Sequence, residues 1–220
     1  MPDSMTSTLH DPRVRRLLDS MHSEAERVDP AILAKAKGLS QPQRAALLDH
    51  AFIPVDAHAG RLLFTLARTC VPGTFVEFGT SFGISTIYLA AAVRDRGAGR
   101  VITTELHAGK AARAREYLSE AGLLDLVDLR VGDALETLKD LPRDVALVFL
   151  DGWKHLYLPC LRLLEPKLSL SALVVADDID LFPDALKPYL DYVRDPTNGY
   201  VSVKVPVGDA MELSARTSRA

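Results

Sequence analysis

Cysteine is scarce in this chain: Cys70 and Cys160 are its only two, far apart and without the close pairing of a zinc or redox motif. Both are expected to sit reduced in the core as small apolar side chains. Histidine offers no better: apart from His155, the five others, His10, His22, His50, His58 and His107, share no ligand-type spacing. A basic excess is also missing. With 26 Lys and Arg against 29 Asp and Glu, the formal charge is −3, too little positive charge to neutralise a run of phosphates. No nucleic-acid partner is therefore expected. No apolar run approaches the length of a membrane span, and the first five residues form no apolar leader, so a cytoplasmic protein without a membrane partner is expected. Internal repeats and low-complexity tracts are absent too.

What is present is ordinary for a globular domain: 48% hydrophobic and 25% charged residues in a chain of 220. That length suits one α/β domain with an added segment. Residues 1–70 carry helical patterns and no strand signal. Asp11-Pro12 opens the first helix, Asp29-Pro30 a second over 30–37, and Ser40 with Pro42 a third, while 57–70 forms a fourth. This front section is too small to be a domain alone and is expected to pack on the sheet, over a pocket or against another subunit. From Phe75 onward short β-branched runs alternate with helical patterns, as a parallel sheet wound on both faces requires. Strands are expected at 75–78, 100–104, 127–131, 145–150, 172–176, 200–206 and 211–215. Helices are expected at 84–94, 108–121, 134–138, 156–163 and 182–193. The last two strands are joined by Val207-Gly208-Asp209-Ala210, a hairpin turn, so the sheet ends in an antiparallel pair. The expected fold class is thus α/β: a Rossmann-like, seven-stranded, mostly parallel sheet with helices on both faces, a C-terminal antiparallel hairpin and an N-terminal helical extension. The division is 1–70 for the extension and 71–220 for the sheet domain.

The chain is organised around residues 74–90, a buried strand that breaks at Gly79 and restarts as a helix at Gly83. Glycines at such a turn let backbone approach a ligand, and the N–H groups of the helix start face outward. The spacing Glu77-x-Gly79-x-x-x-Gly83 is not the G-x-G-x-x-G of dinucleotide sites. It resembles motif I of the class I methyltransferases, whose cofactor is S-adenosylmethionine (SAM). Ligands of open α/β sheets bind beyond the carboxyl ends of the strands, so the residues delivered there matter most. The second strand delivers Glu105, a carboxylate able to accept hydrogen bonds from both ribose hydroxyls of a nucleoside. The third ends in Gly132-Asp133-Ala134, where Asp133 or the backbone at Ala134 can meet the adenine or can simply cap the next helix. The fourth and fifth deliver Asp151 and the pair Asp177-Asp178. Apolar strands that end in acids leave anions costly to desolvate. A divalent cation, Mg²⁺ or Mn²⁺, would resolve that cost, with Asp151, Asp177 and Asp178 as hard oxygen ligands; solvated helix caps are the other reading.

Together these segments resemble the cation-dependent O-methyltransferases of the catechol and caffeoyl-CoA type, over about two-thirds of the chain. Residues 77–85 resemble the family's glycine motif, which implies Ser81 and Ser85, with Glu77, Gly79 and Gly83, as cofactor contacts. Residues 150–157 resemble its metal-aspartate segment, with Lys154 in the place of the proton acceptor. Residues 175–178 resemble its Asp-Asn pair, except that Asp178 stands where the family usually has Asn. Residues 205–213 resemble its closing Pro-x-Gly-Asp-Gly segment. The resemblance implies a SAM-dependent O-methyltransferase acting on a small hydroxylated, aromatic acceptor, and a homodimer. Asp151 and Lys154 are then the catalytic pair, with Asp151 also at the cofactor. Methyl transfer to a phenol needs in-line alignment and removal of a proton whose reference pKa is near 10. A cation lowers that pKa, and a partly desolvated Lys154 beside it is expected to give up its own proton more readily and act as base. Two other readings remain: a metal-independent methyltransferase using His155 or Lys154, and a non-catalytic SAM-fold protein that binds a partner through its front helices.

Overall fold

A computed structural model describes residues 7–27 and 55–217, with isolated positions 31, 35, 39, 43 and 47 between them. Apart from those positions, the helices expected over 30–37 and from residue 40 lie outside the described residues.

Helix α1 (Pro12–Ala25) begins as its sequence requires: the Asp11 side chain accepts from the Arg13 N–H, and proline occupies the first turn. Asp56 caps α2 (Ala57–Thr69) in the same way, accepting from the His58 and Ala59 N–H groups. Strands β1 (Thr74–Phe78), β2 (Val101–Glu105), β3 (Val127–Val131), β4 (Val145–Leu150), β5 (Leu168–Ala176), β6 (Tyr200–Val205) and β7 (Met211–Arg216) form one sheet. Their order is β3-β2-β1-β4-β5-β7-β6. The first five strands are parallel, while β7 runs antiparallel to both β5 and β6. Between them lie α3 (Ile84–Arg96), α4 (Ala108–Glu120), α5 (Ala134–Thr137), α6 (Tyr157–Leu164) and α7 (Pro183–Arg194).

The sheet divides the core in two. One side gathers Phe75, Val101, Leu147 and Phe149 of the sheet with α3, α4, α1 and α2, the last two through Val14, Leu17, Met21, Ala59, Leu63 and Ala67. The other gathers Val76, Val148, Leu150 and Val174 with α5, α6 and α7. The front helices therefore share the sheet's own core instead of forming a separate layer. Residues 84–93 of α3 are buried on every face, because the helix is held between sheet and front helices. Gly60 of α2 lets the Tyr88 ring approach: a Cβ there would lie 2.2 Å from the ring.

Most strand boundaries fall within one residue of the sequence expectation, and two differences bear on the site or the sheet. Glu105 is the last residue of β2, not the first beyond it. Strand β5 begins at Leu168, four residues earlier than expected, because Leu168 pairs with Val145 before an irregularity in which Leu147 faces Leu173. Ser171 takes φ +66° there. The Leu-Ser-Leu-Ser alternation of residues 168–171 carries a bulged strand that its serines disguise as loop.

The order reverses between β1 and β4, both central, and their carboxyl ends lie side by side. That is where ligands of doubly wound sheets bind.

Candidate active site

The loop after β1 is fixed by its contact with the loop after β4. Gly79 has φ +103°, and a Cβ on it would stand 2.7 Å from the Asp151 carbonyl oxygen. Only glycine fits that backbone-on-backbone approach. The ladder continues past the strands: the Asp151 N–H donates to the Phe78 carbonyl at 2.9 Å, and the Asp177 N–H to the Leu150 carbonyl at 3.0 Å. Both acids thus stand on rigid strand ends, not on free loops.

Glu77 lies wholly buried beneath this loop. Its Oε2 accepts from Thr86 Oγ1 at 2.5 Å and from Thr103 Oγ1 at 2.6 Å. The other oxygen, Oε1, is buried without a hydrogen-bond partner. Burial pushes the Glu77 carboxyl above its usual range, against Ser85, Thr103 and Thr86, which favour the anion. Ser85 nonetheless closes no bond to Oε1. A buried acceptor with one empty oxygen is a place for an incoming donor, and a cationic one best. That is the chemistry of an amino-acid ammonium, so the site fits the methionine end of SAM.

Glu105 is also buried and already works for the protein. Its Oε2 accepts the Ser81 N–H at 2.8 Å and its Oε1 the His107 N–H at 2.9 Å. Ser81 contributes through its backbone, held at φ +47°. Each carboxylate oxygen keeps a further lone pair for a ribose hydroxyl. Leu106 and Val131, at the ends of β2 and β3, are 52% and 42% exposed and offer apolar surface beside it. Exposed aliphatics next to a sugar-type acid were a signal the motif reading passed over. Asp133 is exposed and serves as the cap of α5, accepting the Leu135 N–H at 2.9 Å, while Ala134 is buried in the first turn.

At the ends of β4 and β5 the acids converge on a lysine. Lys154 Nζ lies 3.1 Å from Asp151 Oδ1, 2.8 Å from Asp178 Oδ2 and 2.7 Å from the Tyr157 hydroxyl. The Tyr157 hydroxyl donates onward to the Asp177 carbonyl at 3.3 Å. These side chains are 9% (Lys154), 18% (Asp151) and 23% (Asp178) exposed. Asp178 adopts φ +61°, which Asp tolerates better than most residues, and its N–H donates to Asp177 Oδ1. Tyr157 had no role in the sequence reading. Its place one turn after Lys154, with its ring edge-on to Phe78 and Tyr189, makes it a fixed post for the ammonium. His155 faces solvent, and Trp153 packs on the Tyr157 side of the core.

Burial pushes the Asp151 carboxyl up to about 7, Asp178 adding to the rise and Lys154 opposing it. Asp177 is likewise held well above the carboxylate range, by burial and then by the charges of Asp151 and Asp178. For Lys154, burial alone would favour loss of the proton, but the oxygens of Tyr157, Asp178 and Asp151 outweigh it and hold its pKa well above 10.5. The protein's own oxygens therefore hold this proton, whereas its ready loss was expected of a lysine beside a cation. An ammonium has three donors, and here all three have acceptors.

Among the described residues no group of three or more His, Cys, Asp and Glu side chains stands together as a metal site. The donor chemistry of Asp151, Asp177 and Asp178 nevertheless fits a hard divalent cation. Two of the three, Asp151 and Asp178, already converge on one positive charge, that of Lys154.

Residues 76–179 match the family described as a methyltransferase domain. A catechol O-methyltransferase of Niastella koreensis is 33% identical over 159 residues, 69% of this chain and 66% of that protein. A catechol O-methyltransferase of Sus scrofa is 30% identical over 147 residues, 64% of this chain and 77% of that protein. The match thus spans just under two-thirds of the first relative's length. Among solved structures, the O-methyltransferase TomG from Streptomyces achromogenes, in complex with SAM, superposes with a TM-score of 0.65 at 26% identity, covering 93% of this chain and 98% of that one. The chain belongs to the class I SAM-dependent O-methyltransferases, in the family of the catechol O-methyltransferases.

Proposed function

We propose that this protein transfers the methyl group of SAM to a hydroxyl of a small aromatic acceptor, of the ortho-dihydroxyphenyl kind, with a divalent cation at Asp151, Asp177 and Asp178. The observation that carries this reading is the meeting, at one switch point, of Glu77, the Gly79 loop, Glu105 and the Asp151–Lys154–Asp178 cluster. SAM supplies an activated methyl on a sulfonium, and a hard cation supplies Lewis acidity that makes a bound phenol easier to deprotonate. The chain's own part is positioning. Glu77 Oε1 takes the ammonium of the methionine end. Glu105 takes the ribose hydroxyls while its grip on the Ser81 N–H keeps the loop closed, and Leu106 with Val131 gives the base an apolar seat. Asp151, on the end of β4 and against Gly79, sets the acceptor next to the methyl donor. Water is kept from the reacting groups by the apolar residues of β1 and β4 behind them. Lys154 Nζ holds its proton while both carboxylates hold it, and so acts first as a positioning charge. It becomes a proton acceptor for the phenol only once it has left them and given its own proton to solvent.

The second reading, a metal-independent methyltransferase, draws on that same lysine, because its ammonium already offsets part of the acids' charge. The test is methyl transfer from SAM to a catechol acceptor, read as S-adenosylhomocysteine release and a methoxy product by mass spectrometry. It is run with Mg²⁺, with a chelator, and with Asp151→Asn. The cation reading expects activity with Mg²⁺ and loss in the other two arms. Full activity in chelator establishes the metal-independent reading. No SAM binding at all refutes both.

A further inference from the structure

The position where the family usually carries an amide holds Asp178, and the structure gives that acid a partner. Lys154 Nζ lies between Asp178 Oδ2 at 2.8 Å and Asp151 Oδ1 at 3.1 Å, with the Tyr157 hydroxyl as third acceptor at 2.7 Å. The backbone carrying each of the two acids is held, and so is the tyrosine ring. Asp178 is pinned by its own N–H on Asp177 Oδ1, Asp151 by the continued ladder to Phe78, and Tyr157 by full burial between Phe78 and Tyr189. An amide at position 178 would give the ammonium an acceptor without charge. The acid gives it a second ion pair, in surroundings where charge pairs are little screened.

We propose that Lys154 is the resident cation of this site, so that its ammonium and a divalent metal ion compete for the same two carboxylates, Asp151 and Asp178. The inference rests on the cation reading above and adds what that reading lacks: a charge that must leave for the metal to enter. Its consequences are that the protein folds with part of its acids' charge offset in the absence of metal, and that metal binds more weakly than the count of acids suggests. Metal entry also releases Lys154 from both carboxylates. The same acids therefore determine whether the lysine is held or free, and Asp178 makes that choice steeper than an amide would.

Competition is tested by Mn²⁺ binding to the full-length protein, followed by the electron paramagnetic resonance of free Mn²⁺. The proteins are wild type, Lys154→Met, Lys154→Gln and Tyr157→Phe. Removal of the ammonium is expected to tighten Mn²⁺ binding at least about tenfold in both lysine variants. Tyr157→Phe keeps the charge but loses one of its three anchors, so a smaller gain, roughly two- to threefold, is expected. A second readout, the rise in melting temperature on adding Mn²⁺, should follow the same order and is available for any variant that folds. Unchanged or weaker Mn²⁺ binding in the lysine variants, with wild type binding, overturns the competition and leaves the cation reading standing. A gain in the lysine variants with none in Tyr157→Phe also overturns it, because a through-space field would then suffice. If no protein binds Mn²⁺ while SAM still binds, the cation reading fails and the competition with it.

Discussion

Replacing Glu105 with Gln tests the cofactor half of the site most sharply, because this carboxylate has two tasks that the substitution separates. In the protein alone it accepts two backbone N–H groups, from Ser81 at 2.8 Å and from His107 at 2.9 Å. A glutamine oxygen can satisfy one of them, but its amide turns N–H donors toward the other. Losing one hydrogen bond to a charged group costs about 1.5–3 kcal/mol, and the orphaned N–H adds about 1 kcal/mol more. The conformation of Ser81, at φ +47°, then loses the bond that holds it. The expected fall in stability is about 2–4 kcal/mol, or roughly 5–12 °C in melting temperature for a chain of this size. In the complex the same change removes a charged acceptor from the ribose, and SAM should bind roughly 10- to 100-fold more weakly. Calorimetry with an adenosyl ligand and its 2′-deoxy analogue separates the two tasks. Wild type should prefer the ribose form, and the variant should lose that preference. A variant with a lowered melting temperature but an unchanged ribose preference would show Glu105 to be only a clip for the loop, and the ribose assignment would be refuted.

Gly79→Ala places a methyl group 2.7 Å from the Asp151 carbonyl at a positive φ, so the β1 and β4 loops must part; SAM affinity should fall at least about tenfold, with a stability loss of about 1–3 kcal/mol, by calorimetry and urea unfolding. Arg194 holds the buried Glu212 at 2.6 Å; burial would raise this carboxyl, but Arg194 and Ser202 keep it below its ordinary range. That stability is present above the unfolded carboxylate pKa of about 4.5 and is lost as pH falls through the lower folded value. Arg194→Met should therefore cost about 2 kcal/mol at pH 7, since Arg194 is half exposed, and clearly less near pH 4, as urea titrations at the two pH values would show. Burial pushes the Cys160 thiol up to about 12, so at pH 8 it should resist a thiol reagent in the folded protein and react at an ordinary rate once unfolded.

The alternation of strand and helix patterns from Phe75 onward was enough to give the sheet, its hairpin end and the run of acids at its rim. Period and turn chemistry are local, and the carboxyl end of a parallel strand is fixed once its direction is known. Glu77, Gly79, Glu105, Asp151, Asp177 and Asp178 were legible for that reason. The bulge at Ser171 was not, since the serines of 168–171 imitate loop composition while their pairing depends on β4. Nor were the partners of the charged groups. That Glu77 spends one oxygen on Thr86 and Thr103 and keeps the other empty follows from α3 and β2 closing over β1. The protonated, fully bonded state of Lys154 follows from β4, β5 and the first turn of α6 meeting at one point. Residue order can place acids at the rim of a sheet, but only packing decides which of them share a single positive charge, because the energy of a charge depends on distances between strands that are remote in sequence.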